Sequence, residues 1–310
     1  LNDLNFMPPV YQAPSLVTSV SATPEEAEAL LIRVYEKPTA AWETITPELA
    51  IRYLETMDRN RPEKAGGIDA YARDMENDDW MLTGETIVFD WFGRLIDGQH
   101  RLRGIIRSKK TIVVLVVRGI DPKAQDRMDS GIKRSFSDTL SMEGYLAAPV
   151  VSATLRRIHL WGPPFNERVN FSRITVTKAE LEKVLRSNPE IPDIVTYISP
   201  LAPRVEVSKS LLSFLFWLFA QKNQDAAVAF MDKWASGTNL DEGDAVLTLI
   251  RRLRKERRNA EKNGSRAALQ TLTLWLAVYA WNASRRGKPI SNLQLPGGGI
   301  KAENFPRILD

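Results

Sequence analysis

Residues whose types and spacing could do chemistry are concentrated in the segment Arg94-Leu-Ile-Asp-Gly-Gln-His-Arg-Leu-Arg-Gly-Ile-Ile106. A short apolar run, Leu95-Ile96, ends in Asp97-Gly98. The polar cluster Gln99-His100-Arg101 follows, and then an amphipathic stretch carrying Leu102, Ile105 and Ile106. This pattern predicts a strand that stops at a glycine turn with a helix starting at once. The unpaired amides and positive dipole end of a helix start favour an anion. Gly98 lets the backbone come close to a ligand, and Arg101 offers a planar fork of donors suited to phosphate. The chemistry such a turn would do is phosphate binding. The plainer alternative is a strand–glycine–helix turn of purely structural purpose, with a solvated basic residue in the first helical turn.

A nucleotide needs more than a phosphate turn, since its charge is normally neutralised by Mg²⁺ held by one or two carboxylates and the phosphates themselves. Asp121, Asp126 and Asp129 lie on a short predicted helix. Asp121, followed by Pro122, reads as its N-cap. Asp126 and Asp129 are three apart and share a face, so they are the candidate metal ligands, or else ordinary surface acids. Lys133 and Arg134 could close on phosphates from the opposite side, or form a solvated pair. His159 lies in Leu155-Arg-Arg-Ile-His-Leu-Trp161, where packing is the better explanation. No HExxH, cysteine–histidine cluster or GxSxG is present, which leaves zinc and serine-hydrolase chemistry without a foothold.

Charge points to a second ligand. The chain carries a net charge of +4, but eight basic residues face two acidic ones between Arg251 and Arg266, so the basicity is local. Arg251, Lys255, Arg258 and Lys262 recur at about four residues on one predicted helix, with Arg254 beside them, while Leu249, Ile250 and Leu253 face inward. A positive stripe of this kind binds phosphate backbones by counterion release without reading sequence. Its alternative is a solvated face.

The elements that must position these groups follow from local signals. Residues 1 to about 20 hold Pro8, Pro9 and Pro14 and predict an extended arm. Thr23-Pro24-Glu25-Glu26 and Thr46-Pro47-Glu48 are helix starts, the helices running to about Lys37 and Asp58. A helix-like stretch carries Ile68, Tyr71, Ala72 and Met75. Thr86–Asp90 and Arg94–Ile96 pair through the Asp90–Gly93 turn, and Thr111–Val117 is a buried strand. Further helices are expected over 136–142, 147–160, 177–187, 208–221, 223–236, 242–262 and 265–285, with Thr177 and Glu180 forming a capping box.

Composition bounds the rest. At 310 residues the chain supports one large domain or two modest ones with ample core. It has no cysteine, hence neither disulfides nor thiolate metal clusters, which fits a reducing compartment. No charged-then-apolar leader opens the chain, and Leu1 in place of Met suggests a trimmed start. The uncharged run Ala267–Ser284 reaches membrane-spanning length, but Gln270, Thr271, Thr273 and Asn282 interrupt it, so a buried helix is expected and no membrane partner.

Asp97-Gly98-Gln99-His100-Arg101 resembles the DGQHR signature of the ParB/sulfiredoxin-like superfamily. The likeness extends upstream through Arg59-Asn-Arg-Pro62, the helix-like stretch, Trp80–Phe89 and the Asp90–Gly93 turn, similar in order to a ParB N-terminal domain. Downstream, Asp129–Arg134, Ala280–Pro289 and Asn304-Phe-Pro306 look like a set of phage and prophage ParB-like proteins. The match covers roughly residues 44 to 140 with the superfamily.

What the resemblance implies is a nucleotide site. In ParB the corresponding box holds the phosphates of CTP; in sulfiredoxin and the free-serine kinases it holds ATP or ADP. Gly98 then sits at the glycine that admits the phosphates and Arg101 at the arginine that contacts them. His100 matches the histidine of sulfiredoxin and the kinases. Gln99 departs from all three, and with no cysteine in the chain sulfinic-acid reduction is excluded. Arg59 and Arg61 could reach the nucleotide as the ParB Pro-Arg box does. For a kinase, Asp97, Glu85 or Asp129 would accept the acceptor hydroxyl's proton; otherwise Asp97 caps the turn.

The expectation is therefore an α+β protein in three parts. Residues 1–43 form an arm and helix, 44–142 a ParB/sulfiredoxin-like nucleotide-binding domain with a small mixed sheet, and 143–310 an all-α domain with the basic helix. Its expected function is ATP- or CTP-dependent phosphoryl transfer or hydrolysis with Mg²⁺, acting on DNA or a modified base, in the cytoplasm of a phage's bacterial host. The alternatives are a non-catalytic ParB-like DNA-binding adaptor and, third, a nuclease. An oligomer is left open.

Overall fold

The computed structural model describes residues 38–58, 65–128, 135–163, 174–263 and 266–310, with backbone alone for 126–127, 260–263 and 266–267. The protein is mixed α+β, and the chain divides into two compact units, Leu1–Lys133 and Arg134–Asp310. That division falls ahead of the expected boundary at 142/143. Helix Phe136–Met142 therefore belongs to the helical unit, where Phe136 and Leu140 join the buried cluster.

The first unit holds a four-stranded sheet in the order β1-β4-β2-β3, formed by β1 (Thr39–Ile45), β2 (Thr86–Asp90), β3 (Leu95–Asp97) and β4 (Ile112–Ile120). β1 pairs antiparallel with β4, β4 parallel with β2, and β2 antiparallel with β3. Among the described residues three α-helices accompany it: α1 (Pro47–Glu55), α2 (Ala65–Glu76) and α3 (Gln99–Ser108). Thr46 caps α1 as its sequence dictates, its hydroxyl accepting from Leu49 N at 3.2 Å. One face of the sheet, with Ile87, Phe89, Val114 and Val116, packs with Leu102 and Ile105 of α3 and Met75 of α2. Each such buried aliphatic side chain is worth about 1.5–3 kcal/mol relative to exposure.

Strand β1 was not foreseen, because the expected arm-and-helix segment ran to residue 43. Its exposed residues, Thr39 to Trp42, lack an apolar alternation. The strand exists because seven residues find a partner in β4, and a propensity reading does not see such pairing. The strand before the hairpin runs over Thr86–Asp90, the residues expected of it. The hairpin itself is pinned by Asp90, fully buried, whose carboxylate accepts from the amides of Phe92 and Arg94 and from Arg94 Nε at 2.8–2.9 Å.

The second unit is all helical among the described residues: α4 (Phe136–Met142), α5 (Ala148–Trp161), α6 (Lys178–Ser187), α7 (Ile191–Ile198), α8 (Ala202–Val205), α9 (Lys209–Ala220), α10 (Gln224–Ser236), α11 (Ala245–Asn263) and α12 (Arg266–Arg285). Capping boxes at Ser135–Asp138 and Thr177–Glu180 start α4 and α6. The expected helices appear within a few residues of their boundaries. α7 and α8 were not expected. Pro192 and Pro203 each sit in the first turn of one of these helices, where proline costs no hydrogen bond. α9 and α12 supply Phe214, Phe219, Leu276 and Trp281 to one large core, Phe219 stacking on Trp281 with centroids 4.5 Å apart. No described helix is long and apolar enough to cross a membrane, and α12 is buried as its interrupted apolar run predicts.

Candidate anion site and candidate nucleic-acid face

β3 stops at Asp97, Gly98 turns, and α3 begins at Gln99, so the strand–turn–helix unit forms at the expected residues. Gly98 adopts φ +103° and stands at the N-cap position of α3 with no side chain to cap it. A Cβ there would meet Ile87 of β2, 3.0 Å from Cγ1 and 3.1 Å from Cα. The glycine is thus required by the close passage of β2 and by its own backbone, whatever the turn binds.

Arg101 lies in the first turn of α3 and is 7% exposed. Its Nη2 donates to Asp97 Oδ2 at 3.0 Å, one helical turn back. Its Nη1 lies 3.4 Å from Glu85 Oε2 but, although buried, has no hydrogen-bond acceptor. Glu85, just ahead of β2, is half-exposed on its side chain, whereas Asp97 is mostly covered. The guanidinium is therefore turned inward between two carboxylates and does not face bulk water. Asp97 neither caps the turn as a backbone acceptor nor stands alone; it holds Arg101.

Gln99 is buried and His100 partly so. His100 Cδ2 comes within 3.9 Å of where a Cβ on Gly67 of α2 would be. Asp97, Arg101 and Glu85 thus form one charged cluster, with Gln99 and His100 on the same first turn of α3. Arg59, Arg61, Asp129, Lys133 and Arg134 lie outside the described residues, as does the side chain of Asp126. Asp126 itself sits on a 3₁₀ helix, Pro122–Arg127, and Asp121 caps it as expected, accepting from Lys123 N at 2.8 Å. Among the described residues no group of three or more His, Cys, Asp or Glu side chains is placed to hold a metal ion. His159, in the helical unit, lies 3.5 Å from buried Glu180.

A third cluster in the first unit had no sequence signal. Arg118 of β4 pairs with Glu43 of β1 through both nitrogens, and its Nη2 donates to the Tyr53 hydroxyl at 2.9 Å. Tyr53 in turn donates to Glu43 at 2.6 Å. Burial pushes Glu43 up, yet the hydrogen bonds from Arg118 and Tyr53 win and hold it below its ordinary range. Burial and the bond to Glu43 push Tyr53 up to about 12. The guanidinium also lies over the Phe89 ring, 5.1 Å from its centroid. The network ties β1 to β4 and α1, and its place in the sheet explains it.

The basic residues fall on α11 as a face, but not all are available. Arg251 is clamped by Glu242 through two bonds of 2.9 and 2.7 Å. Arg252 pairs with Glu256 one turn on, and Arg257 reaches Glu206 and the Val205 carbonyl at 2.6 Å each. Arg254, Lys255 and Arg258 are exposed, and their side chains make no ion pair or hydrogen bond to a described residue. The side chain of Lys262 lies outside the described residues. The open cationic face thus centres on 254, 255 and 258.

No protein-family model, curated protein or solved structure matches this chain.

Proposed function

We propose that the first unit is a nucleotide-binding domain of the ParB/sulfiredoxin-like kind and that the helical unit holds DNA on the exposed face of α11. ATP or CTP, with Mg²⁺, is the small ligand. One observation carries the reading: a buried arginine in the first turn of α3, one nitrogen without an acceptor, behind a helix start that lacks a capping side chain. A buried donor left unsatisfied costs about 1–3 kcal/mol. An anion rich in oxygen atoms relieves that cost and meets the positive helix end at the same time. A phosphate would take the place of Glu85, whose exposed side chain can swing into water. His100 would lie beside the phosphates. Asp126 and Asp129 offer the hard oxygen donors that Mg²⁺ takes, and bound there it would neutralise phosphate charge.

Phosphoryl transfer or hydrolysis, with DNA or a modified base as acceptor, is the activity the DGQHR resemblance implies for such a site. The non-catalytic adaptor is favoured by a specific observation. The Asp97 Oδ2 accepts from Arg101 Nη2 at 3.0 Å, so this carboxylate has a positioning role that needs no catalysis. In that reading the nucleotide is a switch.

Calorimetric titration of the full chain with ATP and CTP in Mg²⁺ tests the proposal. Binding of one nucleotide is expected, lost in Arg101→Ala and weakened by about tenfold or more in Arg101→Lys, which keeps the charge but not the fork. Unchanged binding in Arg101→Ala overturns the assignment. Release of labelled phosphate, with and without DNA, separates enzyme from switch.

A further inference from the structure

Within the helical unit, α8, the end of α10 and the middle of α11 enclose a cleft of about 150 Å³. Its floor is apolar, with Trp234 and Leu253 buried and Leu247 and Ile250 partly so. Arg204, Arg254, Arg257 and Glu206 also line it. Arg257 and Glu206 satisfy each other at 2.6 Å, which leaves the lining with two uncompensated positive charges. Those two guanidinium groups, Arg204 and Arg254, are exposed and make no ion pair or hydrogen bond with a described residue.

Each half of this arrangement alone is ordinary, since surface arginines are commonly solvated and shallow apolar dimples are common. Their juxtaposition suits an amphipathic anion: a buried apolar floor below, with polar and charged groups forming the larger share of the accessible lining. A cleft of this volume has room for about one small ring, here above an open and charged mouth. Arginine grips carboxylate or phosphate through paired, charge-assisted bonds, and beside an apolar floor such bonds are less diluted by water.

We propose that this cleft binds a small organic anion, its single-ring or branched apolar body on the Trp234–Leu253 floor and its acidic group held by Arg204 and Arg254. The site is separate from positions 97–101 and goes beyond the nucleotide and DNA reading. Arg254 is shared with the proposed DNA face, but Lys255 and Arg258 take no part, so Arg258→Ala tests DNA binding without touching this site, and Arg204, which lies off that face, tests this site alone.

The test titrates the full chain with benzoate and phenyl phosphate, using acetate and inorganic phosphate as head-group controls, read by calorimetry and thermal shift. A ringed probe is expected to bind and raise Tm, as any ligand selective for the folded state does, and to do so equally in Arg101→Ala, where the proposed phosphate site is gone and the controls leave Tm unchanged. Whichever ringed probe binds tighter names the acidic group. The double variant Arg204→Ala/Arg254→Ala should weaken binding by about tenfold or more. Both side chains are exposed, so its fold should be retained, as circular dichroism would show. Leu247→Trp, which fills the floor, should abolish binding. The proposal is overturned if neither ringed probe binds, if the double variant binds as well as the parent, or if acetate or phosphate matches the ringed probes.

Discussion

A methyl group at position 98 would stand 3.0 Å from Ile87 Cγ1 and would force a side chain onto φ +103°. Holding a non-glycine residue there costs about 1–3 kcal/mol, to which the contact with β2 adds. Gly98→Ala is therefore expected to lower stability by at least that amount, measured by urea unfolding; a variant as stable as the parent would remove the structural account of this glycine. The strand–glycine–helix order at 95–101 was legible from residue types alone. That Gly98 answers to a neighbouring strand, and that Arg101 is held by Asp97 and Glu85, was not. Both depend on β2, whose approach no local pattern encodes. Gly104 makes the same point on α3, where a Cβ would come 2.8 Å from Tyr71 Cβ of α2.

Among the elements, α11 shows what a count of charges leaves out. Its period of about four was readable, and the helix forms where the period predicts. Which cations remain open was decided in part by acids outside the run, Glu242 and Glu206, and in part by Glu256 within it. Arg251 holds the Glu242 carboxyl below its usual range, and the pair is fully exposed, so breaking it should disturb little of the fold. Glu242→Gln is expected to free Arg251 for DNA and to steepen the dependence of log K on log salt by about 0.9, the slope of one added phosphate contact. Arg258→Ala should make it shallower by a similar amount. Fluorescence anisotropy on a short duplex across a salt series measures both; slopes identical to the parent would take DNA off this face. The prolines of α7 and α8 teach the complementary lesson. A proline ends one helix and begins another equally well, and only the packing of Ile194, Val195 and Ile198 into the core decides which.

At the scale of the molecule, the described residues form two buried clusters that share no residue, one around the sheet and one among the helices. Each unit has its own hydrophobic reason to fold, and all-or-none unfolding is not expected of such a chain. Leu102, fully buried in the first, and Phe219, fully buried in the second, report on them separately. Leu102→Ala should cost about 2–5 kcal/mol and Phe219→Ala about 3–5 kcal/mol, each lowering a different transition in scanning calorimetry. A single transition moved by both variants would mean that the two cores unfold as one.

Sequence alone determined the caps, the helix periods, the hairpin and the turn at Gly98, because those signals act between residues no more than four or so apart. Tertiary structure alone decided that β1 is a strand, that Arg101 sits between Asp97 and Glu85, that Arg251 is neutralised while Arg258 is not, and that Arg204 and Arg254 share a cleft. Those outcomes come from partners that the folded chain supplies: β4 lies far along the sequence from β1, whereas Asp97 and Glu242 are near neighbours of the arginines they hold. In neither case does the local pattern say which of several nearby charges will be paired.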